Sequence, residues 1–152
     1  MAGMKVGVDE ITLEYSLDAG TTWAEVPEAK NVVIPEDEAD WRDRTTLNVT
    51  DRRKRYGRGM IDASDTTINC LYTTEAFVAA KAMEALPDEA PPMFRATFPV
   101  NPATQTTGDA FEYSAIVQVS NGGEQDVDGD FVFALKLKSS GAVTFTAGTA
   151  IV

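Results

Sequence analysis

The sequence predicts a mainly β protein, a β-sandwich or barrel with one flanking α-helix and a long charged loop. Three observations carry that expectation. Short segments in which apolar and polar side chains alternate recur from Ile11 to Ala147, the period of half-buried strands. One stretch alone, Thr74 to Leu86, has helical spacing. Between the early strands and that helix, Pro35 to Met60 holds seven of the thirteen Lys and Arg residues of the chain. At 152 residues the chain is long enough for one domain with a sizeable core and short for two.

The first strand spans Ile11 to Leu17, with Ile11, Leu13, Tyr15 and Leu17 on one face and Thr12, Glu14 and Ser16 on the other. Asp18-Ala19-Gly20 turns the chain, and Trp23 to Val26 returns as a hairpin partner. Asn31 to Ile34 reads as a short apolar strand closed by Pro35, which cannot donate to a ladder. Thr45 to Thr50 has strand composition, whereas Asp51 to Arg55 is a run of charge suited to a solvated loop or hairpin tip. After Gly57-Arg58-Gly59, the stretch Met60 to Ser64 leads into a strand over Thr66 to Tyr72 with Ile68, Cys70 and Tyr72 on one side.

The helix over Thr74 to Leu86 is capped by Thr73 or Thr74 and ended by Pro87. Its apolar face is Ala76, Phe77, Ala79, Ala80, Met83 and Leu86, with Lys81 and Glu84 pointing away. Phe94, Ala96 and Phe98 then alternate with Arg95 and Thr97, and Pro99 ends that strand. The strongest strands follow: Phe111 to Val119, Phe131 to Leu137, and a last one through Val143, Phe145 and Ala147. Ala147 to Val152, small and apolar, reads as a C-terminal arm.

Composition removes several chemistries. With no His and one Cys among 152 residues, the usual nucleophile–base pairs, His-ligated metal sites and an internal disulfide are all excluded. A close pair of carboxylates is expected by chance among 24, so it does not indicate a glycosidase. Asp126-Val127-Asp128-Gly129-Asp130 lacks the Gly and Glu spacing of a calcium loop and reads as a solvated hairpin loop after Asn121-Gly122-Gly123. No enzyme activity, metal or cofactor is expected. The start, MAGMKVGVDE, has no signal-peptide pattern and no apolar run matches a membrane span, so the expectation is a soluble protein made in the cytoplasm.

The formal net charge is −11, yet Pro35 to Met60 is negative and then strongly positive. Glu36, Asp37, Glu38 and Asp40 precede Trp41, and Arg42, Arg44, Arg52, Arg53, Lys54, Arg55 and Arg58 follow. Such a block meets opposite charge. Phosphate contact by Arg52 to Arg55, with Tyr56 stacking on a base, is one reading, but the acidic remainder of the chain opposes nucleic acid. A protein partner is favoured, and the chain offers its own complement: Arg52 to Arg55 of one copy against an acidic segment such as Glu36 to Asp40 of the next. That contact is heterologous and propagates into rings or filaments.

The order of these features resembles the tail tube (major tail) proteins of phages with long non-contractile tails. The resemblance covers nearly the whole chain. It rests on Trp23 to Val26 and Val32 to Pro35 leading into the charged loop, Gly57 to Asp62, Thr67 to Tyr72 before a single helix, Phe94 to Pro99, Phe111 to Val119, and Leu135 to Val143. It implies one tail-tube-type domain over residues 1–152, in hexameric rings stacked into a tube. Self, tape measure and terminator proteins are the implied partners, and the implied location is the virion, after assembly in the host cytoplasm. Duplex DNA passes without specific binding, and no membrane is involved. Four lumen strands per subunit give a 24-stranded barrel of about 48 Å backbone diameter, and an acidic wall would deny DNA the counterion release that drives binding. The resemblance also carries an inter-subunit role onto residues 35–60, with Arg52, Arg53, Lys54 and Arg55 as inter-ring charges. Unlike in larger members of that family, no appended immunoglobulin-like domain is expected after the core. A tube of a contractile tail or secretion system is a close relative of this reading. A monomeric β-sandwich module that binds carbohydrate or protein through Trp23, Trp41 and Tyr56 is the alternative from another class.

Overall fold

A computed structural model describes residues 4–48 and 50–151. Val49, within the expected strand at 45–50, Val152 of the expected arm, and the first three residues lie outside that range. The elements are a 3-10 turn (Val8–Glu10), β1 (Thr12–Ser16), β2 (Ala24–Glu25), β3 (Asp37–Asp43), β4 (Tyr56–Ala63), β5 (Thr66–Leu71), α1 (Thr74–Glu84), β6 (Met93–Thr97), β7 (Ala110–Ser120), β8 (Val132–Ser139) and β9 (Thr144–Thr146). Seven strands form a curled antiparallel sheet in the order β2-β1-β6-β7-β8-β5, with β9 also on β7. The remaining two, β3 and β4, pair only with each other. A mainly β fold with one α-helix is what the alternating pattern predicted.

The long strand β7 organises the sheet. Ala110 to Ser114 pair with β6, while Ala115 to Ser120 pair with β8, so its neighbours change midway. Beyond the end of β6, the β7 edge would expose N–H groups that need partners. The Ala115 N–H instead donates to the Pro92 carbonyl at 3.2 Å, and the Val119 N–H donates to Glu84 Oε2 of α1 at 2.6 Å. Glu84, expected on the solvent side of the helix, therefore joins helix to sheet. That hydrogen bond, with Lys81 nearby, holds the Glu84 carboxyl below its ordinary value of 4.5.

The core lies between the inner sheet face and α1. Ile68 and Cys70, Phe94 and Ala96, Tyr113, Ala115, Val117 and Val119, and Phe133, Leu135 and Leu137 alternate inward from β5 to β8, as period-2 reading requires. Helix residues Ala76, Ala80 and Met83 close the core, and the Thr73 hydroxyl caps the helix by accepting the Ala76 N–H at 3.1 Å. Burial pushes the Cys70 thiol pKa up to about 11, the state of an inert core residue.

Three expected details differ, each for a local reason. Ser16 is buried and Leu17 exposed, because Ser16 Oγ donates to Asp18 Oδ1 at 2.7 Å and accepts the Gly20 N–H at 2.9 Å, which starts the turn one residue early. Residues 31–34 are not a strand. Residues 28–31 instead cover the free edge of β5, where the Asn31 amide takes ladder positions by donating to the Thr67 carbonyl at 2.9 Å and accepting the Asn69 N–H at 2.8 Å. Val33 is then held by its carbonyl, which accepts the Tyr113 hydroxyl at 2.8 Å. Residues 147–151 run back along the 101–109 loop, with Ile151 N–H to Thr104 O at 3.0 Å and Thr106 N–H to Thr149 O at 2.7 Å.

Two outcomes check this account. Tyr113→Phe should cost about 1–2 kcal/mol in urea unfolding, since it leaves the Val33 carbonyl without its donor. Glu84 has a lowered folded pKa, so its contribution is full above 4.5 and drains as pH falls through the lower folded value. Glu84→Gln should therefore lose less of its urea midpoint than the wild type on going from neutral pH to about pH 3.

Candidate subunit interface

The expected charged loop is a β-hairpin. Strands β3 and β4 pair antiparallel, with Asp37 opposite Ala63, Ala39 opposite Ile61, Trp41 opposite Arg58 and Asp43 opposite Tyr56. Glu36 ties the root, where its carbonyl accepts the Ser64 N–H at 2.8 Å and its N–H donates to Ser64 Oγ at 3.1 Å. The register shifts between Ala39 and Trp41, so Gly59 and Met60 together face Asp40 as a bulge. Gly59 is required there, because a Cβ would lie 2.9 Å from the Asp40 carbonyl oxygen and 3.2 Å from Asp40 Cβ. At Gly57 the Arg44 guanidinium occupies the space a side chain would need.

Residues 44–48 and 50–55 form the tip. It is closed by Arg44 N–H to Arg55 O at 2.7 Å and Arg55 N–H to Thr45 Oγ1 at 2.8 Å. Asp43 accepts the Thr45 N–H at 2.9 Å, and bonding to Thr45, aided by Lys54, lowers its pKa. Within the tip Arg55 pairs with Asp51 at 2.7 Å, an exposed pair of small energetic weight. Arg52, at φ 58°, Arg53 and Lys54 are exposed.

The twelve residues expected to meet a partner all fall on this one hairpin. Directly opposed residues share a face, which sorts them. Asp37, Ala39, Trp41, Asp43, Tyr56, Arg58 and Ile61 lie on one face, while Glu38, Asp40, Arg42 and Asp62 lie on the other, opposite the two glycines. The first face is largely apolar and uncovered: Trp41, Tyr56 and Ile61 are 66%, 57% and 57% exposed. Among the described residues of the hairpin, from 37 to 63, none belongs to the core. Sequence reasoning listed Trp41 and the charges but passed over Ile61 and the apolar face. Alternation through Ala39, Trp41 and Ile61 is visible only once the bulge restores the phase.

Of the three aromatics offered to a sugar, Trp23 is engaged within the fold. The Arg95 guanidinium lies 4.3 Å from its ring centre and also pairs with Glu14 at 3.0 Å. Among the described residues no group of three or more Asp, Glu or Cys is placed to hold a metal ion. No described helix is long and apolar enough to cross a membrane.

No family model matches the chain, and no curated protein matches its sequence. Solved structures do share its fold. A chain of the baseplate of the anti-feeding prophage, in a six-fold symmetrised reconstruction, superposes with TM-score 0.67 at 7% identity, over 97% of this chain and 98% of that one. A chain of the tail of an empty gene transfer agent particle, refined helically with C6 symmetry, gives 0.65 at 14% identity, over 93% and 98%. A chain of the native gene transfer agent virion gives 0.63 at 14%, with the same coverage. The fold is thus that of subunits found in tail and baseplate assemblies, matched end to end.

Because the hairpin has no core of its own, its stability should be local. Gly59→Val should speed tryptic cleavage at Arg52 to Arg55, read by mass spectrometry, while the urea midpoint of the body shifts by no more than about 0.5 kcal/mol.

Proposed function

We propose that this protein is a virion structural subunit that forms hexameric rings, and that these rings stack into a tail tube through which DNA is ejected. The observation that carries the reading is the end-to-end fold likeness to subunits of tail and baseplate particles, two of them reconstructed with six-fold symmetry. The hairpin supports it. A lone two-stranded hairpin is marginal in water, and this one exposes Trp41, Tyr56 and Ile61, so a neighbouring subunit is the natural cover. Residues 35–60 are the inter-subunit element in this proposal, with Arg52, Arg53, Lys54 and Arg55 at its end.

The outer face of β1, β6, β7 and β8 is the candidate wall of the conduit. It is polar, bearing Glu14, Arg95, Glu112, Gln118, Lys136 and Lys138. Two of its three cations are held by carboxylates, Arg95 by Glu14 at 3.0 Å and Lys138 by Asp65 at 3.0 Å. Such a wall is close to neutral rather than strongly acidic. It still offers passing DNA few free cations for counterion release. Tape measure and terminator proteins complete the proposed partners, and the virion the proposed location.

Negative-stain microscopy of the purified protein and of phage lysates is the test. Rings or tubes are expected, and globular monomers under every assembly condition would favour the monomeric binding module instead. The variant carrying Arg52→Glu, Arg53→Glu and Arg55→Glu should keep the wild-type circular dichroism and fail to polymerise, because those side chains contribute nothing to the core.

A further inference from the structure

The body carries a second uncovered apolar patch, and the charge beside it is the reverse of that of the hairpin tip. Tyr72 and Phe131 are 49% and 46% exposed, although alternation assigned both to the core. Strand β5 ends at Leu71 and β8 begins at Val132, so both rings stand just beyond the sheet. There they form a cluster: Tyr72 to Phe131 at 5.7 Å, edge to face, with Phe77 and Phe133 behind. The Tyr72 N–H donates to the Phe131 carbonyl at 2.9 Å, which fixes the pair.

Phe131 ends the β7–β8 loop, whose Glu124, Asp126, Asp128 and Asp130 are exposed. None of the four has an ion-pair partner among the described residues. No cation occurs between Asn121 and Phe131. The hairpin shows the opposite arrangement, exposed Trp41 and Tyr56 followed by the basic tip. The Tyr72–Phe131 patch thus combines aromatic rings with negative charge, while the far end of the hairpin combines Trp41 and Tyr56 with the exposed cations Arg52, Arg53 and Lys54, so the signs of loop and tip are complementary.

We propose that the apolar face of the β3–β4 hairpin docks on the Tyr72–Phe131 patch of a second copy of this chain, with the basic tip against that copy's β7–β8 loop. The inference rests on the tube reading and specifies the seat within it. Aromatic rings supply the buried centre of such a contact and the charges set its orientation. The acidic run Glu36 to Asp40 is a poorer seat, since it lies on the same hairpin as the cations and borders no aromatic cluster of the body. Because hairpin and patch are different surfaces, every copy has one of each to offer, and the contact repeats head to tail.

Zero-length carbodiimide coupling tests this directly, since it joins Lys54 only to a carboxylate in contact with it. Mixing isotope-labelled and unlabelled copies distinguishes links between chains from links within one. The expected product is an inter-chain peptide joining Lys54 to Glu124, Asp126, Asp128 or Asp130. It should be lost in the Trp41→Ser/Tyr72→Ser variant and at high salt. Inter-chain links from Lys54 to Glu36, Asp37, Glu38 or Asp40, or none at all, would overturn the proposal. If rings form but the link lies elsewhere, the seat is wrong and the tube reading stands. If the expected link forms between copies that never build rings, the seat is right and the tube reading falls.

Discussion

The structure depends on one constraint, that strand β7 must satisfy different neighbours along its length. Its first half lies against β6 and its second against β8, so the sheet can curl only if the N–H groups left bare beyond β6 find other acceptors. Those come from the Pro92 carbonyl and the Glu84 carboxylate. The helix is consequently held to the sheet by a charged hydrogen bond as well as by Ala76, Ala80 and Met83. Without that bond the Val119 N–H would be an unpaired group in the interior, which costs more than an average hydrogen bond contributes.

Much of this was legible in the amino-acid pattern, because the pattern reports burial. Phe94 with Ala96, Tyr113 through Val119, and Phe133 through Leu137 alternate cleanly and are strands. The helix was equally plain, and of its two cap candidates, Thr73 and Thr74, it is Thr73 that caps it. Failures cluster where something other than burial decides. Side-chain hydrogen bonding moved the turn to Ser16 and let Asn31 stand in for a ladder. Chain ends of strands left Tyr72 and Phe131 outside a core their spacing seemed to join. The hairpin was hardest: β3 reads DEADWRD, poor in strand formers, and its pairing shows only from the partner strand and the bulge at Gly59. The candidate site residues read in the sequence as a charge cluster, whereas the apolar face among them does not show there.

Charge in this protein is sorted by place rather than spread evenly. The basic tip stands at the end of an arm, an acidic loop stands beside an aromatic pair, and the outer sheet face is near balance through Glu14–Arg95 and Asp65–Lys138. A net charge of −11 alone describes none of this. In the proposed contact the basic tip and the acidic loop, each close to exposed aromatic rings, make attraction over distance and burial at contact favour the same arrangement.

Among the described residues no other strand covers the two outer edges of the hairpin, and bare edges are templates for unwanted growth. Asp37, Glu38, Asp40, Arg42, Arg58 and Asp62 are spaced along them. A misfolded chain adding itself in register would have to bring its own backbone past this row of fixed charges. The charges that disfavour such growth are thus carried by the hairpin itself, whose Trp41, Tyr56 and Ile61 are also exposed.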